Sequence, residues 1–155
     1  MKDILSRAAL LYLLSAVTLC AGVQVDVSIR DLSIAQGLSQ STVYCVFQDS
    51  RGLLWVGTQG GLNVYDGTNV RTFRHDPNDV NSLPHDEVYG IAEDDDGTLI
   101  AATVNGLARL NPATGEVRRY AMDGQQPGEG ERYFFSVVRK AKNGTFWVAS
   151  FNGVH

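Results

Sequence analysis

Cysteine is scarce in this chain: its 155 residues include two, Cys20 and Cys45. Cys20 lies in an amino-terminal stretch with the features of a cleaved leader, so the mature chain would keep Cys45 alone. No intrachain disulfide could then form. Small secreted domains often depend on disulfides, whereas this one must depend on its apolar core. A lone cysteine in a β-rich apolar run is typical of a small buried side chain, not of a nucleophile.

Positive charge is also in short supply. The 13 Lys and Arg residues are outnumbered by 17 Asp and Glu, which gives a formal net charge of −4. The sequence has no basic stripe of the kind that attracts nucleic acid, and we expect no nucleic-acid partner. With 44% hydrophobic residues and 16 glycines, the composition is globular and rich in turns.

Motifs that carry enzymatic chemistry are missing. The sequence has no HExxH, no paired-cysteine metal motif and no GxSxG, and its histidines, His75, His85 and His155, fall in predicted loops or at the terminus. The run EDDDG, which ends at Gly97, offers oxygen ligands for calcium. However, Ala92 stands where the first EF-hand ligand belongs. We predict no catalytic residue, no metal ligand and no cofactor, and the ligand-binding residues stay unassigned.

Long apolar runs are absent outside the amino terminus. There, Lys2 and Arg7 accompany an apolar or small stretch from Ala8 to Leu19, which is followed by Cys-Ala-Gly. This pattern predicts a secretory signal peptide over residues 1–22 and a periplasmic or extracellular location. The stretch is shorter than the ~20 residues of a transmembrane helix. An uncleaved anchor and lipoprotein processing at Cys20 are the alternatives.

A repeated pattern runs through the rest of the chain. The stretch QDSRGLLWVGTQGGLNVYDG has counterparts that begin with EDDDGTLIAATVNGL and KAKNGTFWVASFNGV. Gly52 and Gly97 are 45 positions apart (97 − 52), and Gly144 follows 47 positions later (144 − 97). Each copy has the same order of a glycine, an apolar run, Thr or Ser, a second glycine and an apolar residue. Such periodicity indicates a repeat architecture.

The repeats predict short strands joined by tight turns. Polar residues before a glycine are typical of hairpin turns in which the glycine takes a positive φ. The β-rich runs between turns give the predicted strands, which are Val43–Phe47, Leu53–Gly57, Leu62–Tyr65, Val70–Arg74, Val88–Ala92, Thr98–Ala102, Leu107–Leu110, Val117–Tyr120, Phe135–Val138 and Thr145–Ala149. A four-stranded unit that recurs every ~40–50 residues is typical of a β-propeller blade. A β-sandwich with regular turns is the alternative.

We therefore predict an all-β, incomplete propeller with two full blades and part of a third. Its organisation would be a signal peptide over 1–22, an amino-terminal strand and linker over 23–40, blade 1 over 41–85, blade 2 over 86–131 and a partial blade 3 over 132–155. Val27–Ile34 alternates apolar and polar residues as an edge strand does. Because propellers close with ~4–8 blades, we expect an amino-terminal fragment of a larger protein. Blades assembled between separate chains are the alternative.

Two features are candidates for a binding face. The polar loop from Arg74 to Glu87 joins two copies, and a solvated connection fixed by its two prolines is the interpretation we favour over a ligand-binding loop. Tyr44, Tyr89 and Phe135 lie on the first strands of the copies, which in a propeller run beside the central channel. Core packing explains these aromatic residues as well as ligand stacking does.

The order of these elements resembles a known family. GLSQSTVYCVFQDSRGLLWVGTQGGLNVYDG resembles the opening of the two-component regulator propeller repeats, and FRHDPNDVNSLPHDEVYGIAEDDDG continues the resemblance between copies. The second copy departs from the pattern, since Ile100 stands where the others have Trp55 and Trp147, and Ala102 where the first has Gly57. In that family, such repeats form the extracytoplasmic sensors of hybrid histidine kinases and diguanylate cyclase receptors.

The resemblance implies a ligand-sensing segment of a signal transduction receptor, without catalysis of its own. The parent would be anchored in the inner membrane and carry a kinase or cyclase domain. The implied partners are a small-molecule or oligosaccharide ligand and the remaining blades, and a homodimer of the full-length parent stays open. The alternative is a secreted β-propeller that acts as a binding or scaffold protein, or less readily as a hydrolase.

Overall fold

The computed structural model describes residues 31–120, 134–151 and 153–155. The first sheet consists of β1 (Val43–Gln48), β2 (Leu54–Thr58), β3 (Gly61–Tyr65) and β4 (Val70–Phe73). The second consists of β5 (Val88–Glu93), β6 (Leu99–Thr103), β7 (Gly106–Leu110) and β8 (Val117–Tyr120). The third consists of β9 (Phe135–Lys140), β10 (Phe146–Ser150) and β11 (Gly153–Val154). Neighbouring strands are antiparallel and follow chain order within each sheet.

These three sheets confirm the predicted all-β blade architecture. Observed strand ends differ from the predicted ones by at most two residues, and a single pair of packed sandwich sheets is ruled out. Each sheet lies within one of the predicted copies, at 41–85, 86–131 and 132–155. The boundaries themselves, including the part of the second copy beyond Tyr120, remain predictions.

The matched glycines hold equivalent turns, as predicted. Gly52, Gly97 and Gly144 have φ values of 86°, 78° and 83°, in the left-handed region that glycine enters without steric cost. In each turn, the glycine N–H donates to the carbonyl of the residue three positions earlier, at 2.9, 3.0 and 3.0 Å. The repeat alignment is therefore reproduced in backbone geometry.

The apolar core lies between successive sheets. One cluster joins the first and second sheets, and its buried members are Trp55, Leu62, Leu83, Val88, Ile91, Leu99, Ala101, Ala108, Leu110 and Val117. A second cluster joins the second and third sheets, and its buried members are Ala92, Ala102, Phe135, Val138 and Val148. Each sheet thus forms core with its neighbours, as expected for repeat units that bury their faces only by stacking.

The first strand of each sheet lies at one edge, so β1, β5 and β9 run side by side. The approach between the first two sheets is close at Gly57 of β2. A Cβ at this position would lie 2.5 Å from the carbonyl oxygen of Val88 and 2.5 Å from Sγ of Cys45. Only a glycine fits there without displacing backbone of the next sheet.

The predicted strand Val27–Ile34 is wrong in its last residues. Residues 31–33 are not in a strand, and Ile34–Gln36 forms a short 3-10 helix. Ser33 caps it by accepting from Ala35 N, and Gly37 ends it with a φ of 105°. Residues 27–30 of the predicted strand and the predicted signal peptide fall outside the described residues. Within the described residues, no helix has the length and apolar character needed to cross a membrane.

Candidate functional site

A β-bulge recurs at the start of β1, β5 and β9, the first strands of the three sheets, which we call the inner strands. The pairing between β1 and β2 skips Tyr44, because Val43 faces Thr58 and Cys45 faces Gly57. The same skip leaves Tyr89 unpaired in β5 and Ser136 unpaired in β9. Bulges bend a strand and re-aim a side chain, and they occur frequently beside functional sites.

The two bulge tyrosines begin a column of aromatic rings that crosses all three sheets. Tyr44 stacks on Tyr89 with ring centroids 4.2 Å apart and planes 15° apart. Tyr89 contacts Phe134 at 4.4 Å, and Phe134 contacts Phe151 at 4.7 Å, both in tilted arrangements. Such stacked and tilted ring pairs attract one another beyond the apolar area that they bury. We call these four residues the aromatic column.

Glu87, the residue before β5, is hydrogen-bonded to the two tyrosines of the column. Its Oε2 accepts a hydrogen bond from the Tyr89 hydroxyl at 2.7 Å and a longer one from the Tyr44 hydroxyl at 3.5 Å. Burial raises the pKa of Tyr89 above its usual range, and the hydrogen bond to Glu87 raises it further. Tyr89 therefore stays a neutral hydrogen-bond donor at physiological pH.

A groove of about 300 Å³ follows the inner strands. Its walls combine the tyrosines of the column with Cys45, Gly90 and Val137, which hold matching positions in β1, β5 and β9. Cys45 packs against the first apolar cluster, and burial raises the pKa of its thiol to about 11. A thiol held protonated in this way is a poor nucleophile, which agrees with its predicted role as a small apolar side chain.

Phe135 lies on β9 as predicted, and of the two roles left open for it the structure shows core packing. It is fully buried in the second apolar cluster, whereas Phe134 takes the place beside Tyr89 in the column. The reason is the spacing between copies, which lengthens from 45 to 47 residues and puts Ser136, not Phe135, at the bulge position. Counting back from the matched turn glycine would have shown this.

The polar loop before β5 is tied to the second sheet. Arg119 of β8 donates to the backbone carbonyls of Ser82 at 2.8 Å, Asp79 at 2.6 Å and Asp76 at 3.1 Å. These contacts support the interpretation of the loop as a structural connection. Its fixing partner is an arginine from a distant strand, which the sequence pattern did not reveal.

The remaining polar candidates make hydrogen bonds or ion pairs within the protein. His75 Nδ1 lies 2.7 Å from the carbonyl of Leu83. In the acidic turn, Arg109 pairs with Asp94 at 3.0 Å and with Asp96 at 2.8 Å. Within residues 31–120, 134–151 and 153–155, no group of three or more His, Cys, Asp or Glu side chains is placed to hold a metal ion.

Residues 37–60, which include β1 and β2, match the family model described as the two component regulator propeller. Residues 37–60 are thus similar to a two-component regulator propeller repeat. A curated relative, Histidine kinase P4 of Formosa agariphila, is 49% identical to it over 47 residues. That alignment covers 30% of this chain and 3% of the kinase, so the chain spans a small part of the relative's length.

Solved structures show the same repeat fold. The extracellular domain of a hybrid two-component system from B. thetaiotaomicron matches with a TM-score of 0.65 and 27% identity, over 77% of this chain and 17% of that one. Virginiamycin B lyase from Staphylococcus aureus matches with a TM-score of 0.60 and 16% identity, over 81% of this chain and 40% of that one. At that identity, the lyase shows the fold alone. The propeller repeats of this chain are thus akin to those of two-component regulators.

Proposed function

We propose that this chain is a ligand-sensing segment of a two-component-type receptor and that the inner-strand groove, with its aromatic column, contributes to ligand binding. The observation that carries the proposal is the repeated bulge, which turns Tyr44 and Tyr89 toward one line beside the groove. The chain itself performs no chemistry in this proposal. Binding would instead shift an equilibrium between receptor states that differ in affinity for the ligand.

The chemistry of the groove favours a small molecule with both apolar surface and hydroxyl groups. Most of its lining side chains are aliphatic or aromatic, and Ser136 and Arg139 add a hydroxyl and a guanidinium. Glu87 supplies a carboxylate at the column beside it. Apolar walls with a few convergent polar groups are typical of ligand sites. Oligosaccharides and other polyhydroxylated ligands meet this description, and they are the first class to test.

The receptor context is a proposal drawn from the relatives. The chain covers 17% of an extracellular domain and 3% of a histidine kinase, and three sheets are fewer than the ~4–8 blades of a closed propeller. We infer that these residues act together with further blades in a longer receptor. The propeller would lie outside the cytoplasm, where it binds the ligand. A kinase or cyclase domain of the same receptor would respond to its conformation.

Binding can be tested with matched tyrosine variants. The purified chain is titrated with a panel of oligosaccharides and followed by intrinsic fluorescence and thermal shift. We expect Tyr89→Leu to weaken at least tenfold any binding that the panel shows. Tyr120→Leu, on the exposed outer strand β8, should bind as the wild type does. Equal loss in both variants, or no binding across the panel, would count against the groove as a ligand site.

Location can be tested separately. Alkaline phosphatase, which is active only outside the cytoplasm, is fused after His155 in a Gram-negative host. We expect activity with residues 1–22 present and loss of activity when they are deleted. Activity that survives the deletion would contradict the predicted leader.

A further inference from the structure

Glu87 holds a position at which the three copies differ. It lies two residues before the bulge residue Tyr89, and the same position is Thr42 in the first copy and Phe134 in the third. The three sheets therefore form with a hydroxyl, a carboxylate or an aromatic ring at this position. Because the repeat does not require a carboxylate there, we ask what Glu87 does at the junction of the first two sheets.

Both the backbone and the side chain of Glu87 are fixed by hydrogen bonds. Its N–H donates to Nδ1 of His85 at 3.1 Å, and its carbonyl accepts from the Val104 amide at 3.4 Å. Its Oε2 accepts from the two tyrosine hydroxyls, but within the described residues no hydrogen bond or ion pair engages Oε1. Since every buried side-chain oxygen of these residues has a partner, Oε1 is accessible to solvent. A positioned acceptor thus remains open to a ligand.

The stacking of the column limits what its tyrosines offer to a ligand. Tyr89 lies between Tyr44 at 4.2 Å and Phe134 at 4.4 Å. Its ring faces are therefore occupied by other rings of the column. A ligand meets the edge of Tyr89 instead, and that edge carries the hydroxyl.

The polar groups at this point are all hydrogen-bond acceptors. An ionised carboxylate has no hydrogen to donate, so the hydroxyls of Tyr44 and Tyr89 donate in their bonds to Glu87. A phenolic oxygen whose only hydrogen is engaged can still accept. Burial and the hydrogen bond to Glu87 raise the pKa of Tyr89, which keeps that hydrogen in place. We call these three residues the acceptor cluster, because they present only lone pairs to an incoming molecule.

We propose that Glu87 determines ligand specificity and that the acceptor cluster selects neutral oligosaccharides over acidic ones. This inference rests on the proposed function, which places the ligand beside the aromatic column. Sugar hydroxyls would donate to Oε1 of Glu87 and to the tyrosine oxygens. A carboxylate or sulfate on the ligand would instead set acceptor against acceptor. Like charges opposed across a binding site weaken binding and exclude the wrong ligand.

The positive charge that lines the groove lies farther along the third sheet. Arg139 is three positions beyond the bulge residue Ser136 in β9, which is about 10 Å along an extended strand. Within the described part of the chain, it forms no ion pair with Glu87. A site governed by Arg139 would prefer acidic ligands, so the sign of the preference separates the two arrangements.

Matched ligand pairs test this assignment by calorimetric titration of the purified chain. The members of each pair carry either a hydroxymethyl group or a carboxylate at the same sugar carbon. We expect the wild type to bind the neutral member at least about tenfold more tightly. Glu87→Gln keeps an acceptor for the tyrosine hydroxyls but adds a donor and removes the charge, so the preference should fall to about threefold or less. A role of Glu87 in structure alone would not change this ratio.

Two further variants sharpen the test. Tyr89→Phe keeps the ring but removes the hydroxyl, and it should weaken binding of the neutral member about tenfold, as expected for one hydrogen bond to a charged group. Glu116→Gln removes the same charge from the exposed turn before β8 and is the matched control, which should keep the wild-type preference. Far-UV circular dichroism checks folding. Glu87→Thr, with the residue type of the first copy, replaces Glu87→Gln if that variant unfolds.

The outcomes separate the role of Glu87 from the proposed function. Binding that Tyr89→Leu weakens, but that shows no preference or favours the acidic member, would overturn the role of Glu87 and leave the column as a ligand site. The same conclusion follows if Glu87→Gln keeps the full preference or if Glu116→Gln loses it equally. If no member of any pair binds, the proposed function and this inference are both wrong.

Discussion

Trp55 and Trp147 hold the same position in the first and third sheets, yet they lie in opposite environments. Trp55 is 1% exposed and donates its indole N–H to Asp49 at 3.0 Å, whereas Trp147 is 54% exposed. The third copy has Ala141 where the first has Asp49, so this carboxylate is missing there. Identical residues at matched positions therefore become core or surface according to what the next sheet supplies.

Asp49 connects the first turn to Trp55 within the first sheet. Its buried carboxylate accepts from the Trp55 indole, the Arg51 guanidinium and the Leu53 amide. Burial acts to raise the pKa of Asp49, but these hydrogen bonds together hold it below its usual value. The carboxylate therefore stays charged and holds the turn to the tryptophan.

The largest difference is expected from truncating the two tryptophans. Trp55→Ala should lower the free energy of unfolding by about 3–5 kcal/mol, because it opens a cavity in a packed cluster and leaves Asp49 without a donor. Trp147→Ala should cost less than about 1 kcal/mol, as is usual for exposed positions. Urea titration at one protein concentration measures both. Similar costs for the two variants would refute the comparison.

The next largest difference concerns the close approach at Gly57. Gly57→Ala would place a Cβ 2.5 Å from the Val88 carbonyl, and overpacking of this kind costs about 1–3 kcal/mol. The reverse change at the matched position of the third sheet, Ala149→Gly, should cost about 0.5–1 kcal/mol through backbone entropy alone. If Gly57→Ala leaves the urea midpoint unchanged, the first two sheets are farther apart at this position than the structure shows.

A smaller effect is expected at the turn glycines, where sterics with neighbours play no part. Gly97 has a φ of 78°, and a Cβ at this position would have no neighbouring atom within 4 Å. Gly97→Val should therefore cost about 1–2 kcal/mol, the penalty of the left-handed conformation. Gly97→Asn is the control, because Asn enters that region more readily. A larger loss with Asn than with Val in the melting temperature would contradict this reasoning.

The sequence predicted what the repeat itself determines. Strand positions and the three turn glycines follow from local patterns that recur in each copy, and they are confirmed. The site was only partly predictable, because Tyr44 and Tyr89 were recognised but Phe134 was not. The ring that completes the column depends on where a bulge falls in β9, and on packing across sheets that no local pattern encodes. The hydrogen bonds from Arg119 to a loop some forty residues earlier could not be predicted for the same reason.

The smallest effects on stability are expected at the polar pairs that connect neighbouring sheets. Between the second and third sheets, Lys140 pairs with Asp94 at 3.1 Å and with Asp95 at 2.6 Å. Between the first and second sheets, the Ser50 hydroxyl donates a hydrogen bond to Glu93. Lys140→Gln should lower the melting temperature slightly at neutral pH and low salt, and Ser50→Ala should do so as well. Salt screens exposed ion pairs, so 1 M NaCl should remove most of the effect of Lys140→Gln and little of the effect of Ser50→Ala.

The pH dependence gives the lysine variant a signature of its own. The hydrogen bond to Asp95 raises the pKa of Lys140 above 10.5, so its contribution is present below that pH and is lost as pH rises through the raised value. The Asp95 amide and Lys140 lower the pKa of Asp94 below 3.8, so its contribution is lost as pH falls through the lowered value. Wild type and Lys140→Gln should therefore differ in melting temperature between about pH 5 and pH 9 and converge at both extremes. A difference that persists at pH 2 would show that Lys140 stabilises the contact between these sheets through packing of its stem and not through its charge.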